Sequence, residues 1–245
     1  MIAISRQNAD QPADAGRVCF TSAMEGASGG RVTIRRVRIP AGEEWLPELF
    51  DGPEMTQMIL FLSGTGWICT DSRAFEIREP ALFVPYFDRE QVKVRAVREP
   101  LAAVQIISRM NKEDQAWIRK SHMVFPNFRP FSQAWEHTMN TISGPGANLR
   151  GFMLIENRKL GANNMGIFCS AVPGASTAGE DTLPCYDHYV IAMDSAVFTV
   201  RAGGDTAKLK EGDIAMIPAQ TPFSFSCSED GRICHVWFSL NRAYD

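Results

Sequence analysis

The chain has 245 residues, 45% of them hydrophobic and 22% charged, a composition that excludes wholesale disorder and fits either one large β domain or two of about 120 residues. A net charge of -3 argues against a nucleic-acid or anionic-membrane surface, which needs clustered Lys and Arg to displace counterions, so neither partner is expected. Residues 1–16 lack the apolar core of a secretory signal and no segment approaches the ~18 apolar residues of a membrane span, so a cytoplasmic location is expected.

In chain order, Arg35-Arg36-Val37-Arg38 is the one basic cluster, and it reads as an exposed strand edge whose charges discourage edge-to-edge pairing. Residues 58–62 form an apolar strand entering the turn Ser63-Gly64-Thr65-Gly66. Strands follow at 81–85, 91–95 and 103–107. Residues 111–120 read as a short capped helix and 132–139 as a second, with Trp117, Ile118 and Trp135 pinning this connector; Ser143-Gly144-Pro145-Gly146 is a turn. The second half resumes with strands at 189–193, 197–200, 213–218, 223–227 and 233–238. So many short strands with so little helix predict a sandwich or jelly-roll barrel in each half. Six scattered cysteines without a CxxC pair are read as reduced thiols, mostly buried in strands.

The halves repeat. Pro40-Ala41-Gly42 matches Pro173-Gly174, Glu79-Pro80 matches Glu211-Gly212, Pro85 matches Pro218 and Arg109 matches Arg242, at offsets of 132 or 133. Loops of differing length between fixed anchors are what duplication of one supersecondary unit leaves behind.

The order strand, Gly-x-Gly, strand, Gly-Asp-x-x-x-x-Pro, strand, carried by Leu62-Ser-Gly-Thr-Gly66 and Glu211-Gly-Asp-Ile-Ala-Met-Ile-Pro218, resembles the cupin superfamily over nearly the whole chain as two copies. The resemblance implies an all-β fold of two tandem cupin (jelly-roll β-barrel) domains: 1–109 with an N-terminal extension, a short partly helical connector at 110–150, and 151–245. Through Asn164-Met-Gly-Ile167, Pro173-Gly-Ala-Ser176, Asp187-His188 and Asn241-Arg242, the second half is most similar to ureidoglycine aminohydrolases. Those bicupins of purine catabolism deaminate a small ureido acid with a manganese ion in the C-terminal barrel.

Carried onto this chain, the family's four metal-ligand positions fall on Thr182, Pro184, His188 and Phe223, and in the first half on Asp51, Pro53, Gln57 and Glu90. Period-two alternation aims such positions inward. Of the first set only His188 is a metal donor, whereas a tight transition-metal site needs three or four. No metal site and no cofactor are therefore expected; any ion would be a weakly held divalent metal near His188.

His188 is the candidate catalytic residue, because imidazole titrates near neutrality; the alternative is a core histidine satisfied by a backbone carbonyl. Tyr186 shares its face by spacing, as a phenolic donor or a lining ring. Asp187 faces the other way, as a loop anchor. Phe223 shapes the cavity, Thr182 occupies an inward position, and His235 shares the interior if Cys234 points out. In the first half Gln57, Asp51 and Glu90 meet around a small polar ligand, and Gln57, inside an apolar strand, needs an internal partner.

Three readings stay open. One is an enzyme acting on a small polar organic substrate inside a barrel by general acid/base chemistry, of isomerase, lyase or hydrolase type. The second is a non-catalytic small-molecule-binding or sensor protein. The third is an atypical metal-dependent, ureidoglycine-aminohydrolase-like enzyme using His188, Asp181 and His235. In each the partner is a small molecule, and the resemblance together with the apolar content implies a homodimer.

Overall fold

Alternation of apolar and polar residues is the dominant local pattern, and it produces strand over 56% of the chain against 9% helix. The computed structural model describes residues 1–7, 17–136, 149–177 and 180–243. The first strands are β1 (Ala3–Ser5), β2 (Cys19–Gly26), β3 (Val32–Ile39), β4 (Glu44–Trp45) and β5 (Met55–Ser63). Next come β6 (Gly66–Thr70), β7 (Ala74–Ile77), β8 (Ala81–Val84), β9 (Val92–Ala96), β10 (Leu101–Arg109), β11 (Asn127–Pro130) and β12 (Trp135–Glu136). The rest are β13 (Leu149–Leu160), β14 (Asn163–Ser170), β15 (Asp181–Thr182), β16 (Tyr186–Ala192), β17 (Val197–Ala202), β18 (Asp205–Lys210), β19 (Ile214–Ile217), β20 (Pro222–Ser226) and β21 (Cys234–Asn241).

The chain divides into two units, Ala9–Gln133 and Met1–Asn8 with Ala134–Asp245. In the first, a six-stranded antiparallel sheet (β11-β8-β5-β10-β3-β2) faces a four-stranded one (β4-β9-β6-β7). Val37, Ile59 and Phe61 from one meet Ile68, Val92 and Val94 from the other in a single buried cluster. In the second, a seven-stranded sheet (β1-β19-β16-β21-β14-β13-β12) faces β15-β20-β17-β18, with Phe168, Val190 and Trp237 packed against Phe198, Phe223 and Phe225. Each unit is thus a jelly roll of two facing antiparallel sheets, as expected, and among the described residues the two sheets are not joined into a closed barrel.

Several boundaries differ from the sequence reading. The expected N-terminal extension of the first domain instead supplies β1 to the second unit, pairing Ala3–Ser5 with Ile214–Met216 of β19. Its anchor is Asp213 of the Gly-Asp motif, a fully buried carboxylate that accepts hydrogen bonds from Arg6 (2.7 Å), the Gln7 N–H (2.9 Å) and the Lys210 N–H (3.1 Å). Burial alone would raise its pKa, but these bonds outweigh burial and hold it below the ordinary carboxylate value.

Residues 110–133 belong with the first unit. The helix Lys112–Lys120 has the expected cap, a box between Asn111 and Asp114, and Asp114 pairs with Arg31. β11 adds to β8. The expected second helix is a 3-10 turn at Phe131–Gln133 followed by β12; its residues 137–139, and the turn at 143–146, lie outside the described residues. Arg35 to Arg38 are not on an edge, because β3 lies between β10 and β2. The strand β2, whose sequence CFTSAMEG lacks clean alternation, covers that edge. All six cysteines are free thiols, but none is fully buried.

Candidate functional site

Directly opposed residues on antiparallel strands share one face of the sheet. β21 lies between β14 and β16, and its register sets Ser239 opposite Asn164 and His188, Trp237 opposite Gly166 and Val190, and His235 opposite Phe168 and Ala192. Phe168, Trp237, Val190 and Ala192 belong to the core between the sheets, which makes this the inner face. His188, His235, Ser239 and Asn164 therefore all project inward.

His188 is 2% exposed. Its Nδ1 lies 2.7 Å from Ser239 Oγ, and its ring stacks on Phe223 of the opposite sheet (centroids 5.2 Å apart) and on Trp237 (6.1 Å). Burial pushes its pKa down from 6.5 to about 4, so the imidazole is neutral at neutral pH. Two tautomers fit: Ser239 donates to Nδ1 and the ring proton sits on Nε2, or Nδ1–H donates to Ser239 and Nε2 keeps a lone pair.

Gly166 decides where Trp237 lies. A Cβ at that position would fall 2.5 Å from Cζ2 of the indole and 2.3 Å from the Phe152 carbonyl oxygen, so only glycine lets the indole rest against the sheet. The indole Nε1–H is buried there without a hydrogen bond. His235 is enclosed by Phe225, Phe168 and Phe198 at centroid distances of 4.9, 5.4 and 5.6 Å, and both of its ring nitrogens are buried without a hydrogen bond. Burial first, and His188 second, push its pKa down to about 3; the Val236 backbone opposes them without completing a hydrogen bond of normal geometry. Asn164 Oδ1 is a fourth buried polar atom lacking a partner. Each such atom costs about 1–3 kcal/mol unless a bound molecule or water satisfies it.

The other expected residues are placed differently. β15 pairs Asp181 with Phe223 and Thr182 with Pro222, so Asp181 is buried while Thr182 and Pro184 are exposed. The strand β15 ends at Thr182, and the alternation counted back from His188 does not carry across the turn that follows. Tyr186 is half-buried, its hydroxyl accepting from Asn157 Nδ2 (2.9 Å) and Asn241 Nδ2 (3.3 Å). Asp187 is an anchor as expected, accepting from the Ala219 N–H (2.9 Å) and from Arg242 (3.2 Å).

In the first unit Asp51, Glu90 and Gln57 do not converge. Asp51 is exposed at the start of a 3-10 turn, and Glu90 accepts from Ser72 Oγ at 2.7 Å. Gln57 is buried, donates to the Glu48 carbonyl (2.9 Å) and accepts from Gln105 Nε2. Gln105, like Ser239, Trp237 and Asn164, was not singled out as a site residue from the sequence. Its signal was the same as that of Gln57, an amide inside an apolar strand.

The inner positions do not fit a tightly held transition metal. Among the described residues no group of three or more His, Cys, Asp or Glu side chains is placed to hold one, and His188 is flanked by two aromatic faces. No protein-family model matches the sequence, and no curated protein matches it. Solved structures do. AerE from Microcystis aeruginosa aligns with a TM-score of 0.69 at 10% identity over 98% of both chains. The protein Ylba from E. coli aligns at 0.66 and 11% identity over 100% of this chain and 92% of that one. A cupin 2 conserved barrel domain protein from Leptotrichia buccalis gives 0.58 and 14% identity, over 92% and 89%. Structures with this fold include enzymes, an oxalate decarboxylase and a salicylate 1,2-dioxygenase among them, as well as non-enzymes. At such identities the likeness is one of fold, and it is with the cupin jelly roll that this chain shares its architecture.

Proposed function

We propose that the chain is an enzyme that holds a small polar organic molecule between the sheets of its second unit and moves a proton on it with His188. The observation that carries this reading is the inner face itself. A neutral histidine fixed by Ser239 shares that face with the unpartnered polar atoms of Trp237, His235 and Asn164. Those atoms offer a substrate two donors, the indole N–H and one imidazole N–H, and two acceptors. With a pKa near 4, His188 acts more readily as a neutral hydrogen-bond donor or acid toward a developing oxyanion than as a free-standing base. Proton abstraction by it would need negative charge developing on the substrate to stabilise the imidazolium. Isomerisation, elimination and hydrolysis all contain such a step.

The finer likeness to ureidoglycine aminohydrolases would bring a manganese-dependent deamination, and the donor set of the second unit speaks against that assignment. We propose chemistry without a tightly held metal, which elemental analysis of untagged protein checks: stoichiometric Mn, Fe, Ni or Zn would overturn it. A second reading, binding without chemistry, is favoured by the packing of His188 between Phe223 and Trp237, which resembles a recognition platform. A panel of small polar compounds screened by thermal shift, with the recovered ligand analysed by NMR, separates the two. Conversion by the wild type that is lost in His188→Ala supports catalysis. An intact ligand supports binding alone, and conversion that survives in the variant removes His188 from the mechanism.

A further inference from the structure

The first unit carries a polar layer that this chemistry does not use. On β3, Arg35 lies on the same face as Val37 and Ile39, which point into the core between the sheets. The register sets Arg35 opposite Gln105 on β10 and Gln105 opposite Ile59 on β5, another core residue, so the arginine projects inward. Gln105 and Gln57 are 2% and 4% exposed, and their mutual hydrogen bond, with the Gln57 bond to the Glu48 carbonyl, fixes both amides.

Arg35 is half-buried, yet its guanidinium makes no hydrogen bond or ion pair among the described residues. Its neighbours differ: Arg31 pairs with Asp114, and Arg36 has a partner. A guanidinium offers five donors and no acceptor, and its planar fork matches a carboxylate better than any other common anion of small metabolites except phosphate. An inward, unpaired guanidinium beside two fixed amides calls for an anionic ligand small enough to enter between the sheets.

We infer that the first unit binds a small carboxylate through Arg35, with Gln105 as the adjoining polar contact. This site is separate from the His188 reading and stands without it. The test is calorimetric titration of the full chain with acetate, oxalate and inorganic phosphate at constant ionic strength, with chloride as the control. The wild type and His188→Ala should bind acetate or oxalate saturably and with equal affinity. Arg35→Lys, which keeps the charge but loses the fork, should weaken binding about tenfold, and Arg35→Met should abolish it. If Arg35→Met does not fold, the Lys variant decides alone. No saturable binding of either carboxylate by the wild type, preference for phosphate, or undiminished binding in the Arg35 variants would overturn the proposal.

Discussion

The two units place different chemistry on equivalent rows of one framework. In the second, β14, β21 and β16 carry Asn164, Ser239 and His188 on one inner row and Gly166, Trp237 and Val190 on the next. In the first, β3, β10 and β5 carry Thr33, Ile107 and Gln57, then Arg35, Gln105 and Ile59. One interior is aromatic and holds its histidines neutral, whereas the other is amide-lined and cationic. The turns that shape the two copies kept the repeat visible in sequence, while the inner rows diverged. Shared fold therefore says little about shared ligand.

The sharpest way to break this comparison is acid. In the second unit His188 and His235 are folded with pKa values of about 4 and 3 against an ordinary 6.5, whereas His122, in the first, is exposed. Because the folded pKa is the lower one, the unfolded state takes up protons first. Stability is intact above about pH 6.5, declines as pH falls below it, and the loss is complete once pH is below the folded values. At about 1.4 kcal/mol per unit the loss is on the order of 3 kcal/mol for His188 and 5 for His235. Urea denaturation from pH 7 to 3.5 should show most of it, and His235→Phe should remove the larger share while leaving that of His188.

Removing the β1 anchor comes next. Asp213→Ala leaves the Gln7 and Lys210 N–H groups and Arg6 without their acceptor, and should cost about 3 kcal/mol by the same measurement, detaching β1 with increased amide exchange at Ala3–Ser5. Gly166→Ala forces the Trp237 indole off the sheet and should cost about 1–3 kcal/mol, with a change in indole fluorescence. The smallest effect belongs to the first unit. Gln57→Leu or Gln105→Leu alone should cost about 1–2 kcal/mol by stranding the other amide, while the double variant should lie closer to wild type.

Much of the architecture was legible in the sequence. The apolar runs that became β5, β8, β10, β16, β19 and β21 have the length and turn residues of strands, and Asn111 with Asp114 marks a helix start. What escaped was parity across turns. Thr182 and Asp181 exchange faces because the alternation restarts after β15, and Arg35 turns inward because it shares the face of Val37 and Ile39, which β3 presents to the core. Local pattern could not announce that β1 joins the second unit, since its pairing spans about 200 residues of chain.

Imidazole nitrogen NMR tests the central claim most directly. In the free protein the rings of His188 and His235 should stay neutral down to about pH 5. On addition of a compound that raises the melting temperature of the second unit, both buried rings should shift, while His122 stays in place. Titration of either buried ring near pH 6.5, or a bound ligand that leaves both unmoved, would contradict the account.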